Sequence, residues 1–363
     1  MRYKKFFALL LALALVCGSL SGCAAGQTAA PAEPAVSFTD SLGRTVDIPE
    51  TLTRVAPSGA VASMFLATIA PEYMTTINAT PSSSQYKYLD PRLIDLPTTG
   101  QMYGSKSTLN LESILTSGVQ VVIDLGDKKD NMAADLDALQ RQIGMPVIFI
   151  EADLPHMAEA YRTLGKILSG KEARGEELAA FVEETVSMAE ENAANIQDSE
   201  RISVLYTSGS SGLNTNAKGS IQAQVLDLMG IENAAVVEDV SNKGGGNPIN
   251  LEQLYRFDPD VILFAAGSIY QTAAADEAWQ PLRAIQTGRY YEVPSMPYNW
   301  LSGPPSLNML LGVWWLGNLL YPQYYDYDMV EKTQEMFRLF WAYDLSADEA
   351  RAMLANSTLK GAS

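Results

Sequence analysis

The feature that most constrains the fold is a repeated unit in which the same helix start precedes an apolar run. Asn-Leu-Glu occurs at 110–112 and again at 250–252, and the runs VQVVIDLG and PDVILFAAG follow the two copies. Asn is a favoured N-cap residue, so each copy predicts a short helix. An apolar run bounded by turn residues predicts a buried strand. Two such units, 140 residues apart, predict two similar α/β lobes.

Strand and helix patterns alternate around both copies. A strand–turn–strand pattern, a strand that ends at Pro57-Ser58-Gly59 and a helix at 60–70 precede the first copy, and the apolar run MPVIFIE follows it. We predict an N-terminal α/β lobe over residues 36–155. The strand ISVLYTSG then opens a C-terminal α/β lobe over residues 199–363, which ends in long helices.

The segment between the lobes, residues 156–198, is predicted to be helical. Its second part, KEARGEELAAFVEETVSMAEENAANI, has apolar residues at helical spacing and few helix breakers. A helix of about 25 residues is about 38 Å long, enough to join two lobes as a rigid strut. Periodicity alone also allows an ordinary surface helix that belongs to one lobe.

The first 23 residues have the features of an export signal: basic residues, an apolar run and small residues before a cysteine. The apolar run is too short to span a membrane. Its end, Leu20-Ser21-Gly22-Cys23, resembles the lipobox of bacterial lipoproteins. This resemblance implies that Cys23 carries a lipid that anchors the protein to the cell membrane, outside the cytoplasm. Residues 24–35 then form a flexible tether. The alternative is an ordinary secretory signal with a chance cysteine.

Composition excludes several classes of function. Cys17 and Cys23 are the two cysteines, so the part of the chain after the signal has no thiol for catalysis, a disulfide or a metal site. The chain has 25 basic and 42 acidic residues and a net charge of −17, which becomes −20 without the three basic residues of the signal. Nucleic-acid binding needs a basic surface, so no nucleic-acid partner is expected.

Several segments, in this order along the chain, resemble one class of binding protein. FTDSLGRTVDIPETLTRVAPSG, the two Asn-Leu-Glu units, AIQTGRYYEVP and LGNLLYP are similar to segments of the metal-chelate class of ABC-transporter solute-binding proteins, which bind ferric siderophores, haem or cobalamin. The resemblance implies two Rossmann-like lobes with mainly parallel sheets, joined by one long α-helix, with a ligand cleft between them. It also implies a monomer that delivers its ligand to ABC permease subunits and their ATPase.

The resemblance implies a role for the acid in each repeat. In this class, one acidic residue on each lobe docks into basic residues of the permease, and Glu112 and Glu252 match those positions. Charge-assisted hydrogen bonds of this kind set the register of an interface. The alternative is local: a glutamate in the first turn of a helix stabilises the helix dipole, with Asn110 or Asn250 as the cap.

Candidate ligand-binding residues lie in loops at the carboxyl ends of the predicted strands, where α/β proteins bind ligands. Aromatic rings there give a large contact area at low entropy cost. Tyr206 and Trp300 are the strongest candidates because each follows directly on a strand signal, whereas Trp314 and Trp315 lie in an apolar helix and are predicted to be core. The predicted set is Ser58, Gly59, Tyr86, Tyr88, Tyr103, Tyr206, Tyr270, Tyr298, Asn299 and Trp300.

The basic residues and the single histidine limit the classes of ligand that the protein is expected to bind. The C-terminal lobe lacks an obvious arginine pair on its loops, which weakens a tricarboxylate or catecholate chelate and leaves hydroxamate, cobalamin or haem. Because His156 is the only histidine, a bare zinc or manganese site is not expected, and His156 is predicted to be structural. Neither a cofactor nor a metal site is predicted. The basic residues in or near the candidate loops are Lys87, Arg92, Lys106, Lys218 and Lys243.

Two other classes of function are compatible with the sequence. A surface sensor or adhesion domain could use the same scaffold. An enzyme is less well supported, because the chain has no G-x-S-x-G elbow and no nucleotide-binding glycine motif.

Overall fold

The computed structural model describes residues 34–103 and 108–358. It opens with a hairpin of two antiparallel strands, Ala35–Thr39 (β1) and Thr45–Pro49 (β2). The guanidinium of Arg44 donates to Asp40 at 2.8 Å and to Asp137 at 2.9 Å. Because Asp137 lies on a helix of the first lobe, Arg44 fastens the hairpin to that lobe.

The first lobe is built on a parallel sheet with the strand order β3-β4-β5. The middle strand is buried along its whole length. Ile123 packs in the core on one face of the sheet and Val122 in the core on the other, as expected for a parallel sheet covered on both sides. The elements are Val55–Pro57 (β3), Ala60–Ile69 (α1), Leu111–Thr116 (α2), Val121–Gly126 (β4), Met132–Ile143 (α3) and Val147–Glu151 (β5).

Two helices connect the lobes, Met157–Ile167 (α4) and Glu172–Asn195 (α5). They approach each other closely where Gly165 meets Gly175, since a Cβ on Gly175 would lie 2.8 Å from the Gly165 Cα. Arg162 of α4 also donates to two glutamates of α5, at 2.6–3.0 Å. The predicted long helix therefore forms with a second helix packed along it.

The second lobe has a four-stranded parallel sheet with the order β11-β10-β6-β8 and a small antiparallel pair, β7 and β9. Its elements are Ser203–Thr207 (β6), Asn214–Thr215 (β7), Gln224–Leu228 (α6), Glu232–Asn233 (β8), Asn247–Pro248 (β9), Leu251–Phe257 (α7), Val261–Phe264 (β10), Arg283–Gln286 (α8) and Tyr290–Glu292 (β11).

Three helices end the described chain: Asn308–Leu320 (α9), Met329–Trp341 (α10) and Ala347–Leu354 (α11). Trp314 and Trp315 are buried, which confirms that they are core residues. The Trp314 indole donates to Thr185 of α5 at 2.9 Å. One core cluster includes Ile123 of the first sheet, Leu178 of α5 and Leu263 of the second sheet. The connecting helices therefore share one continuous core with both lobes, as expected for a strut that joins them.

The predicted α/β fold with mainly parallel sheets is confirmed. The pattern MTTINAT at residues 74–80 predicts a further strand. This prediction is wrong, because these residues make only single bridges to Val55 and Thr98. The export signal, Cys23 and Lys106 lie outside the described residues.

Among the described residues, none of the helices is both long enough and apolar enough to cross a membrane.

Candidate functional site

The candidate site is a cavity of about 170 Å³ at the carboxyl end of the first sheet. Ser58 and Gly59 follow β3, Asp124 lies in β4, Lys129 follows β4, and Pro304 comes from a loop of the second lobe. Ligands of α/β proteins bind at the carboxyl ends of strands, and Pro304 places this cavity between the lobes. Four larger cavities, of about 390, 400, 270 and 200 Å³, are lined mainly by residues in or next to helices and not by the carboxyl ends of the strands, so we do not place the site there.

Ser58 and Gly59 stand where the sequence predicts, at the end of β3. The Ser58 amide donates to the Ile123 carbonyl at 3.0 Å, and the Ser58 carbonyl accepts from Met102 at 2.8 Å. These bonds hold the strand end against its neighbours. The Ser58 hydroxyl donates to the Asp124 carboxylate. Gly59, which precedes α1, leaves open the space that the cavity occupies.

Asp124 is a site residue that the sequence interpretation missed. Its side chain is buried, and one carboxylate oxygen accepts the Ser58 hydroxyl. The other oxygen, Oδ2, has no hydrogen-bond partner within the described part of the chain. Burial raises the pKa of Asp124 to about 6, against the lowering effects of Ser58 and Lys129. The available signal was a carboxylate inside the apolar run VVIDLG, because an aspartate is rarely fully buried unless it has a partner.

Tyr103 contributes an aromatic wall to the same cavity. The Lys129 ammonium lies 5.2 Å from the centre of its ring, a cation–π distance. Burial, together with the nearby carboxylates of Asp124 and Asp135, raises the pKa of the Tyr103 hydroxyl. Ser58, Gly59 and Tyr103 are the sequence-predicted residues that line this cavity.

On the side of the second lobe, Tyr206 lies at the end of β6 beneath the loop that carries Pro304. Burial raises the pKa of Tyr206 to about 12, while Ser302 and Asn299, which hydrogen-bond to its side chain, act in the opposite direction. Asn299 accepts from the backbone of Ser302 at 3.1 Å, and Asn216 donates to the Ser302 hydroxyl at 2.6 Å. Tyr206 and Asn299 therefore support this loop, and Tyr206 is only 6% exposed.

Trp300 does not have the place that the sequence suggested. Its side chain is fully buried, and its indole donates to the Met296 carbonyl at 2.9 Å. The backbone carbonyl of Trp300 lies against α9. A Cβ added at Gly312 of that helix would lie 2.3 Å from the carbonyl oxygen. The ring is thus part of the core and offers no surface to a ligand. Tyr298 beside it is half-buried, and burial raises its pKa to about 12.

The remaining predicted tyrosines are dispersed. Tyr88 packs edge-on against Phe337 and Tyr343 of the C-terminal part. Tyr270 packs against Phe264 and Tyr290 within the second lobe. The structure does not bring these two rings to the cavity described above.

Tyr86 is 37% exposed and follows Gln85, whose amide donates to the Pro297 carbonyl of the second lobe at 2.8 Å. This bond joins the two sides of the cleft, so Tyr86 lies next to a contact between the lobes.

The fold and the cavity can now be compared with known proteins. The model of one family, described as periplasmic binding protein, matches residues 56–297. The chain belongs to the periplasmic binding protein family. A search of curated protein sequences finds no match.

Solved structures agree with this assignment. An ABC transporter solute binding protein from Sulfurospirillum deleyianum is 26% identical, with a TM-score of 0.80, and the match covers 88% of this chain and 99% of that one. A periplasmic solute binding protein from Veillonella parvula is 22% identical, with a TM-score of 0.71 and coverage of 89% and 98%. The molybdate periplasmic binding protein MolA of Haemophilus influenzae, bound to molybdate, is 18% identical, with a TM-score of 0.67 and coverage of 86% and 99%. The resemblance predicted from the sequence is confirmed.

In this binding protein, the two repeated helix starts have the predicted caps. Asn110 accepts from the Ser113 amide at 3.2 Å, and Asn250 accepts from the Gln253 amide at 2.9 Å. Glu112 and Glu252 are both exposed in the first turns. The local explanation for each acid is therefore satisfied, and both side chains are also exposed at the surface.

Each of the two helices also carries an exposed apolar side chain three residues after its acid. Leu115 is 54% exposed and Tyr255 is 43% exposed. Residues three apart share one face of a helix, so each lobe presents an acid beside an apolar group. Arg256 lies 3.2 Å from Glu252, an exposed ion pair of little energetic weight.

The predicted basic residues take other roles in the binding protein. Lys87 pairs with Glu349, and Arg92 pairs with Asp90 at 2.7 Å. Lys218 and Lys243 are exposed. These four cations do not line the cavity.

His156 lies beside Asp153, and its other nitrogen is 3.8 Å from Glu151. The Glu151 carboxylate is already paired with Lys128 at 2.7 Å. The three residues could approach a metal ion together, but the Lys128 ammonium occupies the place of a cation at Glu151. We therefore keep the structural interpretation of His156.

Proposed function

We propose that the protein is the lipid-anchored binding component of an ABC importer, and that it captures a metal chelate of the siderophore, haem or cobalamin type. The observation that carries the proposal is the cavity between the lobes, which joins the end of the first sheet to Pro304 of the second lobe. The family and the solved neighbours support the role in solute capture. The lipid on Cys23 remains part of this proposal.

The size of the cavity limits how a chelate can bind. A volume of about 170 Å³ is below the roughly 300–1,000 Å³ of most ligand sites. The cavity therefore admits a side arm of a chelate or a small ligand, and the body of a siderophore would rest at its mouth.

Molybdate is the second candidate, because MolA has a similar fold and binds it and because a small oxyanion fits the volume. Charge argues against it. The cavity wall has a buried carboxylate at Asp124, and Lys129, the lysine among the described lining residues, is paired with Asp127 at 3.0 Å. A carboxylate next to an oxyanion is a repulsive contact in a site of low dielectric.

Delivery to the permease is proposed to use Glu112 and Glu252. What supports this is their matching exposure on the two lobes and the exposed apolar residue beside each of them. A partner with two similar basic sockets, each edged by apolar surface, would fit both helices.

Calorimetric titration of the purified protein tests the proposal. The ligands are ferrioxamine B, haem, cyanocobalamin and molybdate. We expect saturable binding of one site per protein for at least one chelate and none for molybdate. Binding of molybdate alone, or of none of the four, would refute the chelate proposal.

A further inference from the structure

The unexplained group in the cavity is the carboxylate of Asp124. A carboxylate has about four acceptor positions, and a buried polar group without a partner is unfavourable. Here the Ser58 hydroxyl donates one hydrogen bond to Oδ1 of Asp124. The other oxygen, Oδ2, has no hydrogen-bond partner within residues 34–103 and 108–358. Such a group, on the wall of a cavity between two lobes, has the chemistry of a ligand contact.

The charges around the cavity indicate which ligand group would be favourable. Among the described residues, 34–103 and 108–358, the charged ones that line the cavity are Asp124, Asp127 and Lys129. Because the Lys129 ammonium is paired with Asp127, the Asp124 charge is not fully balanced. The lining therefore has a net negative charge, which attracts a cation or a hydrogen-bond donor and repels an anion.

We propose that Asp124 accepts a hydrogen bond from an ammonium group on a side arm of the ligand. The protein then selects a chelate with a cationic arm over a chelate with a neutral or anionic arm and over an oxyanion. This inference rests on the proposed function and adds the charge class of the ligand. The cavity volume suits an arm of this kind, while the metal-bearing core stays at the mouth.

A purely structural role for Asp124 is the competing explanation, because the carboxylate also holds Ser58 and so the end of β3. The two roles respond differently to charge. Asp124→Asn keeps the shape of the side chain and an acceptor for Ser58, but removes the negative charge. Asp130→Asn is the matched control, because Asp130 is exposed and outside the cavity lining.

The test compares ferrioxamine B, which has a free ammonium arm, with its N-acetyl derivative, which has the same ferric core and no charge on the arm. Calorimetry at pH 7.5 should show at least tenfold tighter binding of ferrioxamine B by the wild-type protein. The preference should fall to within about twofold in Asp124→Asn and persist in Asp130→Asn. Thermal melts confirm that each variant is folded.

Equal affinity of the wild-type protein for the two chelates would overturn the inference without reference to any variant. A preference that survives in Asp124→Asn would also overturn it. If the wild-type protein binds neither ferrioxamine, the inference is wrong. Binding of haem or cyanocobalamin would then leave the proposed function standing. If the protein binds none of ferrioxamine B, its N-acetyl derivative, haem and cyanocobalamin, both this inference and the proposed function fail.

Discussion

A carboxyl group inside a sheet is more favourable protonated than charged, because burial penalises the charged form. Asp124 illustrates this, with a pKa raised to about 6 by burial. At neutral pH the ligand-free protein therefore carries a buried negative charge on Asp124, and this charge lowers its stability. Such costs are common where function opposes stability, and they can be measured.

The pH dependence of stability provides the measurement. The folded-state pKa of about 6 lies above the usual value of 3.8, so the folded protein binds more protons between these values. Stability is then lost as the pH rises through this window. Asn cannot ionise, so the free energy of unfolding of Asp124→Asn, relative to wild type, should rise by about 2.4 kcal/mol between pH 4 and pH 7.5.

Urea denaturation of both proteins across this range checks the prediction. Asp130→Asn is the control for the loss of one negative charge, at an exposed carboxylate outside the cavity lining. Parallel curves for wild type and Asp124→Asn would show that Asp124 titrates normally and is not buried as described.

At the residue scale, the sequence predicts which residues come directly after a strand but not which of their side chains are exposed. Ser58 and Gly59 line the cavity because the carboxyl ends of parallel strands meet at one edge, and Tyr103 lines it from a loop. Trp300 also comes after a strand signal, yet its loop turns inward beneath α9. Asp124 was missed because it lies inside a strand, and periodicity does not indicate which strand position faces a cavity.

At the scale of elements, the packing of α4 on α5 determines how firmly the lobes are joined. In Gly175→Ala, the new Cβ would lie 2.6 Å from the Tyr161 carbonyl oxygen and 2.8 Å from the Gly165 Cα. Both are backbone atoms of a helix, so the two helices must move apart. Overpacking costs about 1–3 kcal/mol, of which the better helix propensity of alanine offsets about 1 kcal/mol.

Chemical denaturation of Gly175→Ala should therefore show a lower free energy of unfolding. Gly244→Ala is the matched control, because no atom of the described residues lies within 4 Å of the added methyl group, and it should stay within about 0.5 kcal/mol of wild type. A Gly175→Ala protein as stable as this control would mean that the helices are not in close contact.

The helices α2 and α7 carry the proposed docking function. In Glu112→Lys/Glu252→Lys, two like-charge contacts replace two favourable ones at the permease, so uptake of the ligand should be abolished. Both residues are exposed and lie outside the cavity lining, so affinity for the ligand should remain within about twofold. Transport assays in cells and calorimetry on the purified variant measure the two quantities.

A double variant at two other exposed acids, Glu50→Lys/Glu191→Lys, changes the net charge equally and should transport normally. If the docking variant still supports uptake, or if both variants lose it, the assignment of Glu112 and Glu252 is wrong.

At the scale of the whole molecule, the sequence was sufficient for the fold and insufficient for the ligand. Two repeated helix–strand units around a long helix predicted two α/β lobes and their connection, because periodicity and caps are local signals. Contacts between residues far apart in the chain determine the size of the cavity, the loop that closes it and the charge of its wall. Gln85 and Pro297 are one such pair.

The location of the binding site is the central claim for the molecule, and a variant that fills the cavity tests it. Gly59 has an extended backbone that any residue can adopt, and within the described part of the chain an added Cβ would meet Gln101 alone, at ordinary contact distance. Gly59→Leu should therefore fold and occupy the space beside Asp124. Gly244→Leu is the control for the added side chain.

The deciding measurement is the dissociation constant of Gly59→Leu for the chelate that the wild-type protein binds most tightly among ferrioxamine B, haem and cyanocobalamin. We predict a loss of at least tenfold in affinity, about 1.4 kcal/mol, with no loss in Gly244→Leu. Unchanged affinity in a folded Gly59→Leu protein would contradict this location and place the ligand elsewhere, for example in the cavity of about 390 Å³ beside α1 and α10.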